Sequence, residues 1–251
     1  MPTFKLTIEY DGTNFCGWQI QRKGERTVQA EIKRVLEKIL KHPVILIGAG
    51  RTDSGVHALG QVAHFKTTTA INPTVLLKAL NANLADDIVI LRVQKVADRF
   101  HAQFSAKSKI YRYAILNREA RSAKERGFYH HIRQPMDIGL LRKAARILTG
   151  RHDFRAFMGS ATSLKNRVEK KNTIRTVKKI TFCRRYDFIF CDIEANGFLY
   201  KMVRNIIGTL IDIQARRIDV KDLRSILASG DRRKAGITAP AQGLCLYKVK
   251  Y

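Results

Sequence analysis

The stretch GAGRTDSGVHA, residues 48–58, sets a carboxylate, Asp53, two positions after a guanidinium, Arg51, and four before an imidazole, His57. Such a carboxylate can be a nucleophile, half of an acid-protease dyad, a metal ligand or a turn residue, and each role makes a demand on its neighbours. A dinucleotide loop would need glycine where Asp53 stands, and a phosphate loop would need a terminal Gly-Lys-Ser/Thr; a carboxylate there repels phosphate. A protease dyad needs two aspartates sharing one proton, but the chain has a single Asp-Ser/Thr-Gly, and Arg51 favours full ionisation. Ser54-Gly55 approaches a nucleophile elbow, yet Thr52 occupies the place of its first glycine. A metal set of Asp53, His57 and His64 does not converge on alternating strand spacing. A plain turn remains, since Asp, Ser and Gly all favour one. Against it stands the conjunction of Arg51, Asp53 and His57 in one loop of a very basic chain.

That basicity is the loudest global signal. Lys and Arg number 47 and Asp and Glu 21, a formal net charge of +26 that calls for a polyanionic partner. The charge is uneven: residues 1–105 hold 14 basic and 9 acidic groups, residues 106–251 hold 33 and 12, so the second half should carry most phosphate contacts. With 45% hydrophobic and 27% charged residues the chain reads as an ordinary globular protein able to bury a core. No apolar run reaches the roughly 18 residues of a membrane span. The opening residues, MPTFKLTIEYDG, read as strand and turn rather than a signal peptide, so a cytoplasmic location is expected. Cys16, Cys183, Cys191 and Cys245 form no C-x-x-C pair and are expected as buried, reduced thiols, with no metal site.

The elements that must position Asp53 follow from hydrophobic periodicity. Residues 4–10 alternate as a strand ending at Asp11-Gly12; residues 27–40 form an amphipathic helix capped by Thr27, with Val28, Ile32, Val35, Leu36 and Ile39 on one face. Residues 44–47 make a short strand before the Asp53 loop, 61–67 a returning strand, 73–80 a helix and 88–96 a strand. In the second half, 110–116 is a strand, 137–148 a helix capped by Asp137, and 173–183 with 188–195 a hairpin turning at 184–187. Helices at 200–215 and 220–228 and a closing strand at 244–250 complete it. Each half thus reads β-α-β-β-α-β, the second with one extra helix. The expected class is α+β: two pseudo-repeated ferredoxin-like halves, 1–105 and 106–251, with antiparallel sheets joined around a central cleft. The segment 159–171, GSATSLKNRVEKK, reads as a basic loop, equally a solvated linker or a phosphate-binding finger.

Nearly end to end, the chain resembles the TruA family of tRNA pseudouridine synthases. Tyr10-Asp11-Gly12 with Gly17-Trp18-Gln19 is similar to the family's opening, and GAGRTDSGVHALGQVAHF to its catalytic block. Asn81-Ala82-Asn83-Leu84, Phe100-His101-Ala102 and Phe104-Ser105-Ala106 follow in order, then Lys109-Ile110-Tyr111-Arg112-Tyr113, Gly150-Arg151-His152-Asp153-Phe154, the run Phe198-Leu199-Tyr200-Lys201-Met202-Val203-Arg204-Asn205, and Pro240-Ala241-Gln242-Gly243-Leu244. Two departures are Ser54, where alanine is more usual, and Ile20 between Gln19 and Gln21, where arginine is common.

The resemblance implies isomerisation of uridine to pseudouridine in the tRNA anticodon stem and loop, at tRNA positions 38, 39 and 40. It also implies a homodimer and a reaction that needs no cofactor or metal. By the same resemblance Asp53 is the catalytic carboxylate, named as nucleophile, although attack on ribose, attack on uracil and proton removal all stay open. Arg204 is its basic partner, Arg51 extrudes the target base or holds its phosphate, Tyr111 stacks on the base, and Leu244 lines the uracil pocket. The competing reading is a non-catalytic tRNA-binding or chaperone-like module with the same charge and fold.

Overall fold

The fold comes from a computed structural model, which describes residues 1–21, 24–159 and 172–251. The basic segment expected at 159–171 lies, apart from Gly159, outside the described residues. Two compact units emerge: residues Met1–Lys109 with Cys245–Tyr251, and residues Ile110–Leu244.

In the first unit, β1 (Thr3–Tyr10) alternates buried Phe4, Leu6, Ile8 and Tyr10 with half-exposed residues, as a strand covered on one face must. It pairs antiparallel with β3 (His57–Lys66) and with β4 (Ile88–Val96). The helix α1 (Val28–Leu40) starts where Thr27 accepts a hydrogen bond from the Ala30 amide and ends at Lys41 in the left-handed conformation. Its Val28, Ile32, Val35, Leu36 and Leu40 are buried, each worth about 1.5–3 kcal/mol against exposure. The helix α2 (Pro73–Asn81) is capped by Asn72, with proline at its first turn. The strand expected at 44–47 is reduced to β2 (Ile47–Gly48), paired with β3. Side chains of α1 take the backbone groups that a ladder would use: Glu37 accepts from the Val44 amide and Gln29 donates to the Leu46 carbonyl.

The last strand, β10 (Leu244–Lys250), joins this sheet parallel to β3, with Cys245 opposite His57 and Leu246 opposite Ala58. The sheet is therefore mixed rather than purely antiparallel. A strand arriving from the far end of the chain is under no hairpin constraint, so either direction is open to it.

The second unit is built on β5 (Ser108–Asn117), β7 (Gly150–Asp153), β8 (Ile174–Arg185) and β9 (Phe188–Ala195), in the order β5-β9-β8-β7. A short β6 (His130–Ile132) runs parallel to β5. Neither β6 nor the polar β7 is foreseen by periodicity, since three or four residues carry too little alternation to read. The β8–β9 turn shrinks to Tyr186 and Asp187, Tyr186 adopting a φ of 51°. The helices are α3 (Ile138–Leu148), capped by Asp137, then α4 (Met202–Gln214) and α5 (Leu223–Ser229). The last follows a 3₁₀ turn over Val220–Asp222. The chain is thus mixed α and β, with mixed sheets and few helices. Among the described residues no helix is long and apolar enough to cross a membrane.

The cysteines correct one expectation. All four are free thiols, but only Cys191 is buried; Cys16 and Cys183 are exposed and Cys245 is intermediate. On β8, Cys183 sits opposite Phe190 and shares the outward face of the alternating strand.

Candidate active site

Asp53 lies in the loop between β2 and β3, half-buried, with buried Thr52 before it and exposed Ser54 after it. The loop is held by backbone contacts from the first turn of the chain. Thr52 accepts from the Trp18 amide at 3.2 Å, and Phe15 accepts from the Gly55 amide at 3.3 Å and the Ser54 hydroxyl at 3.1 Å. Asp53 itself turns the loop, its carbonyl accepting from the Val56 amide at 3.2 Å. Below, the Tyr10 and Thr52 hydroxyls bond at 2.8 Å, and Gln61 donates to the Gly50 carbonyl at 2.9 Å. Burial drives the Tyr10 phenol pKa far up, against the bonds to Thr52 and Gln61, so it stays a neutral strut.

Two glycines permit this proximity. A side chain at Gly12 would place its Cβ 2.1 Å from the Val56 carbonyl oxygen, and one at Gly17 2.6 Å from that of Thr52. Gly17 also holds a φ of +93°, which an L side chain rarely adopts. Trp18, fully buried, lies against Gly48, where a Cβ would stand 2.6 Å from the indole. The sequence words Tyr-Asp-Gly and Gly-Trp-Gln are thus the clamp of the Asp53 loop, a role that spacing alone did not reveal.

His57 is buried, and the Gly12 amide points at its Nδ1 at 3.0 Å. The same Nδ1 lies 3.1 Å from Asp11. Burial pushes the Asp11 carboxyl up, but the Thr13 hydroxyl and amide, with His57, outweigh it and hold the group below its ordinary value. His64 is buried too and accepts from the Ala102 amide at 3.1 Å. Both imidazoles are therefore engaged in holding loops. Arg51 is exposed at the loop. A second cation, which the motif reading did not single out, lies beside it: the Lys109 ammonium is 3.5 Å from where a Cβ on Gly50 would stand.

In the second unit, Arg204 sits in the first turn of α4, half-buried. Its Nε donates to the Ala239 carbonyl at 2.7 Å, while the Ala239 amide donates to the Arg204 carbonyl at 3.1 Å. The segment bearing Ala239 is drawn onto α4 at Gly208, where a Cβ would overlap the Ile237 carbonyl at 1.7 Å. Asp212 accepts from the Ile237 amide, the Thr209 hydroxyl from the Gly236 amide, and Asn205 from Thr238 and Arg232. The arginine is thereby aimed by a polar network rather than by helix geometry alone.

Tyr111 and Tyr113 share the buried face of β5 but differ in surroundings. Tyr111 meets Phe198 edge-on at 5.0 Å. Tyr113 is fully buried, donates to the Pro240 carbonyl at 3.0 Å, and presses its ring where Gly243 has no side chain, 2.7 Å from an ideal Cβ. Leu244, next in sequence, is 5% exposed. The words Lys-Ile-Tyr-Arg-Tyr and Pro-Ala-Gln-Gly-Leu therefore meet at Tyr113.

A half-buried carboxylate on a backbone-clamped loop, with cations and aromatic rings fixed elsewhere on a +26 chain, fits a class of protein that acts on a polyanion. A family model described as tRNA pseudouridine synthase matches residues 6–105 and 144–251. The chain is 49% identical over its full length, and that of the relative, to tRNA pseudouridine synthase A of Thermoanaerobacter sp. (strain X514). It is 45% identical to tRNA pseudouridine synthase A of Geobacillus sp. (strain WCH70), over 98% of this chain and 97% of the other. It is also 40% identical over both full lengths to tRNA pseudouridine synthase A 2 of Clostridium perfringens (strain 13 / Type A). A chain in the crystal structure of a Cbf5-Nop10-Gar1 complex aligns with 96% of this chain and 57% of its own, at 12% identity and a TM-score of 0.34, too distant to bear on the fold. The chain belongs to the tRNA pseudouridine synthase family and is an isomerase of that family.

Proposed function

We propose that the chain converts uridine to pseudouridine in the anticodon stem and loop of tRNA, with Asp53 as the catalytic carboxylate. In this reaction the bond from C1′ to the ring nitrogen breaks and the freed uracil turns over. A bond from C1′ to ring carbon then forms, a proton leaves that carbon, and the freed nitrogen gains one. Atoms and electrons balance within the nucleotide. Asp53 serves at the reacting nucleoside as nucleophile or base, with Arg204 as its positive partner. Arg51 attends the extruded nucleotide, Tyr111 stacks on its base and Leu244 lines the uracil pocket. We further propose two ferredoxin-like halves, 1–105 and 106–251, a cytoplasmic homodimer, and no membrane contact.

The observation that carries this reading is the clamp on the Asp53 loop. Gly12, Gly17 and Trp18 approach so closely that the carboxylate is held half-buried with its backbone immobilised, as preorganised catalysis demands. A pure tRNA binder has no use for a fixed carboxylate that repels phosphate. The test is Asp53→Ala with transcribed tRNA. Pseudouridine formation should fall at least about a thousand-fold, the scale that a positioned proton-transfer group or nucleophile supplies. Affinity for tRNA should persist. A variant that still makes pseudouridine at the wild-type rate would remove Asp53 from the chemistry.

A further inference from the structure

Phe104 is 79% exposed, at a loop between β4 and β5. An aromatic ring left in water costs free energy, and one on a slack loop would fold back onto apolar neighbours. Phe104 does not, because its loop is fixed. The His101 Nδ1 accepts from the Gln103 and Phe104 amides, both at 3.2 Å. Ser105 closes the turn in both directions, its hydroxyl accepting from the His101 amide at 3.1 Å and its amide donating to the His101 carbonyl at 2.9 Å. Ala102 is tied to His64 through its amide and to the Tyr251 hydroxyl through its carbonyl.

On this frame the rings form a column. Phe104 stacks on His101 with centroids 4.3 Å apart and planes 24° from parallel; His101 lies 4.7 Å from His64, and His64 meets Phe100 edge-on at 6.0 Å. Beneath, Phe100 touches Tyr251 at 4.9 Å, and the Lys5 ammonium lies 4.7 Å from the Tyr251 ring. One face of Phe104 is thus backed by a rigid column and the other faces solvent. Arg99 and Lys107, both exposed, flank the loop in sequence. A preorganised aromatic face bordered by cations is what a nucleobase on a phosphate backbone needs.

We infer that Phe104, backed by His101, is a stacking platform for a base of the tRNA other than the target uridine. This rests on the tRNA reading above. The test measures tRNA affinity of the full chain for Phe104→Ala, Phe104→Leu and Phe104→Trp, each checked for an unchanged melting temperature, with pseudouridine formation followed for the wild type. Loss of one base stack should raise Kd about 5- to 150-fold for alanine and leucine, while tryptophan keeps or improves affinity. A leucine variant that binds like wild type would make the site a mere apolar contact and overturn the inference. So would an alanine variant with unchanged Kd, including one whose only change is a shift in oligomeric state. A wild type that binds no tRNA overturns both readings; one that binds and reacts while Phe104→Ala matches its affinity overturns this one alone.

Discussion

In the first unit Asp53 is held by backbone: carbonyls and amides of residues 15–18 bond directly to those of residues 52–55, and glycines at 12 and 17 make the approach possible. In the second unit Arg204 and Tyr111 sit on regular elements and are held through their own side chains, Arg204 by the Ala239 carbonyl and Tyr111 against the Phe198 ring. A short carboxylate has one rotatable arm and takes its place from the loop that bears it. An arginine or tyrosine is long and takes its place from whatever grips its far end. Backbone substitutions should therefore damage the Asp53 side most, and side-chain substitutions the Arg204 and Tyr111 side.

The largest effect expected from that contrast is at Gly17. Gly17→Ala must strain a φ of +93° and push the Thr52 carbonyl away, which should cost about 2–3 kcal/mol of stability. Turnover should fall further, about a hundred-fold, since a displacement near 1 Å is enough for that. Gly24→Ala is the control: its φ is +70°, but nothing lies within 4 Å of the added carbon. It should cost about 1–2 kcal/mol with turnover unchanged. Denaturation curves and initial rates measured together decide it, and equal losses at the two glycines would end the clamp argument.

A smaller effect separates the tyrosines. Tyr113→Phe strips the Pro240 carbonyl of a buried donor, for about 1 kcal/mol of stability, and should leave turnover near wild type. Tyr111→Phe should lower turnover about tenfold or more while tRNA still binds. The opposite pattern would exchange their roles.

The smallest effect is at Asp11, whose carboxyl is held below its ordinary value near ~3.9. A depressed folded value stabilises above the unfolded one, and that contribution disappears as pH falls through the folded value. Asp11 is 40% exposed, so solvent screening leaves a few tenths of a kcal/mol at most. Asp11→Asn should be slightly less stable than wild type at pH 6, and the gap should close below about pH 4. A gap that widens on acidification would reverse the sign of the Asp11 contribution.

Much of this was legible in the chain itself. Alternation in β1, the apolar stripe of α1 and the caps at Thr27 and Asp137 are local physics, settled by neighbours three or four residues away. The motif words located Asp53, Tyr111 and Arg204 as candidates and the family as a resemblance. Sequence could not say that Gly12 and Gly17 serve a loop some 40 residues on, that Lys109 reaches Gly50, or that Ala239 aims Arg204. The resemblance singled out Tyr111 rather than Tyr113 on the same strand face, but it did not show that Tyr113 bonds to the Pro240 carbonyl. Those distinctions depend on which distant backbone comes within 3 Å of which side chain, and no periodicity encodes that. The sequence by itself determined the elements, the charge and the chemistry available. Only the tertiary structure decided which glycines are clamps, what Tyr113 packs against and which aromatic is left facing water, because each is a matter of contact between residues far apart in the chain.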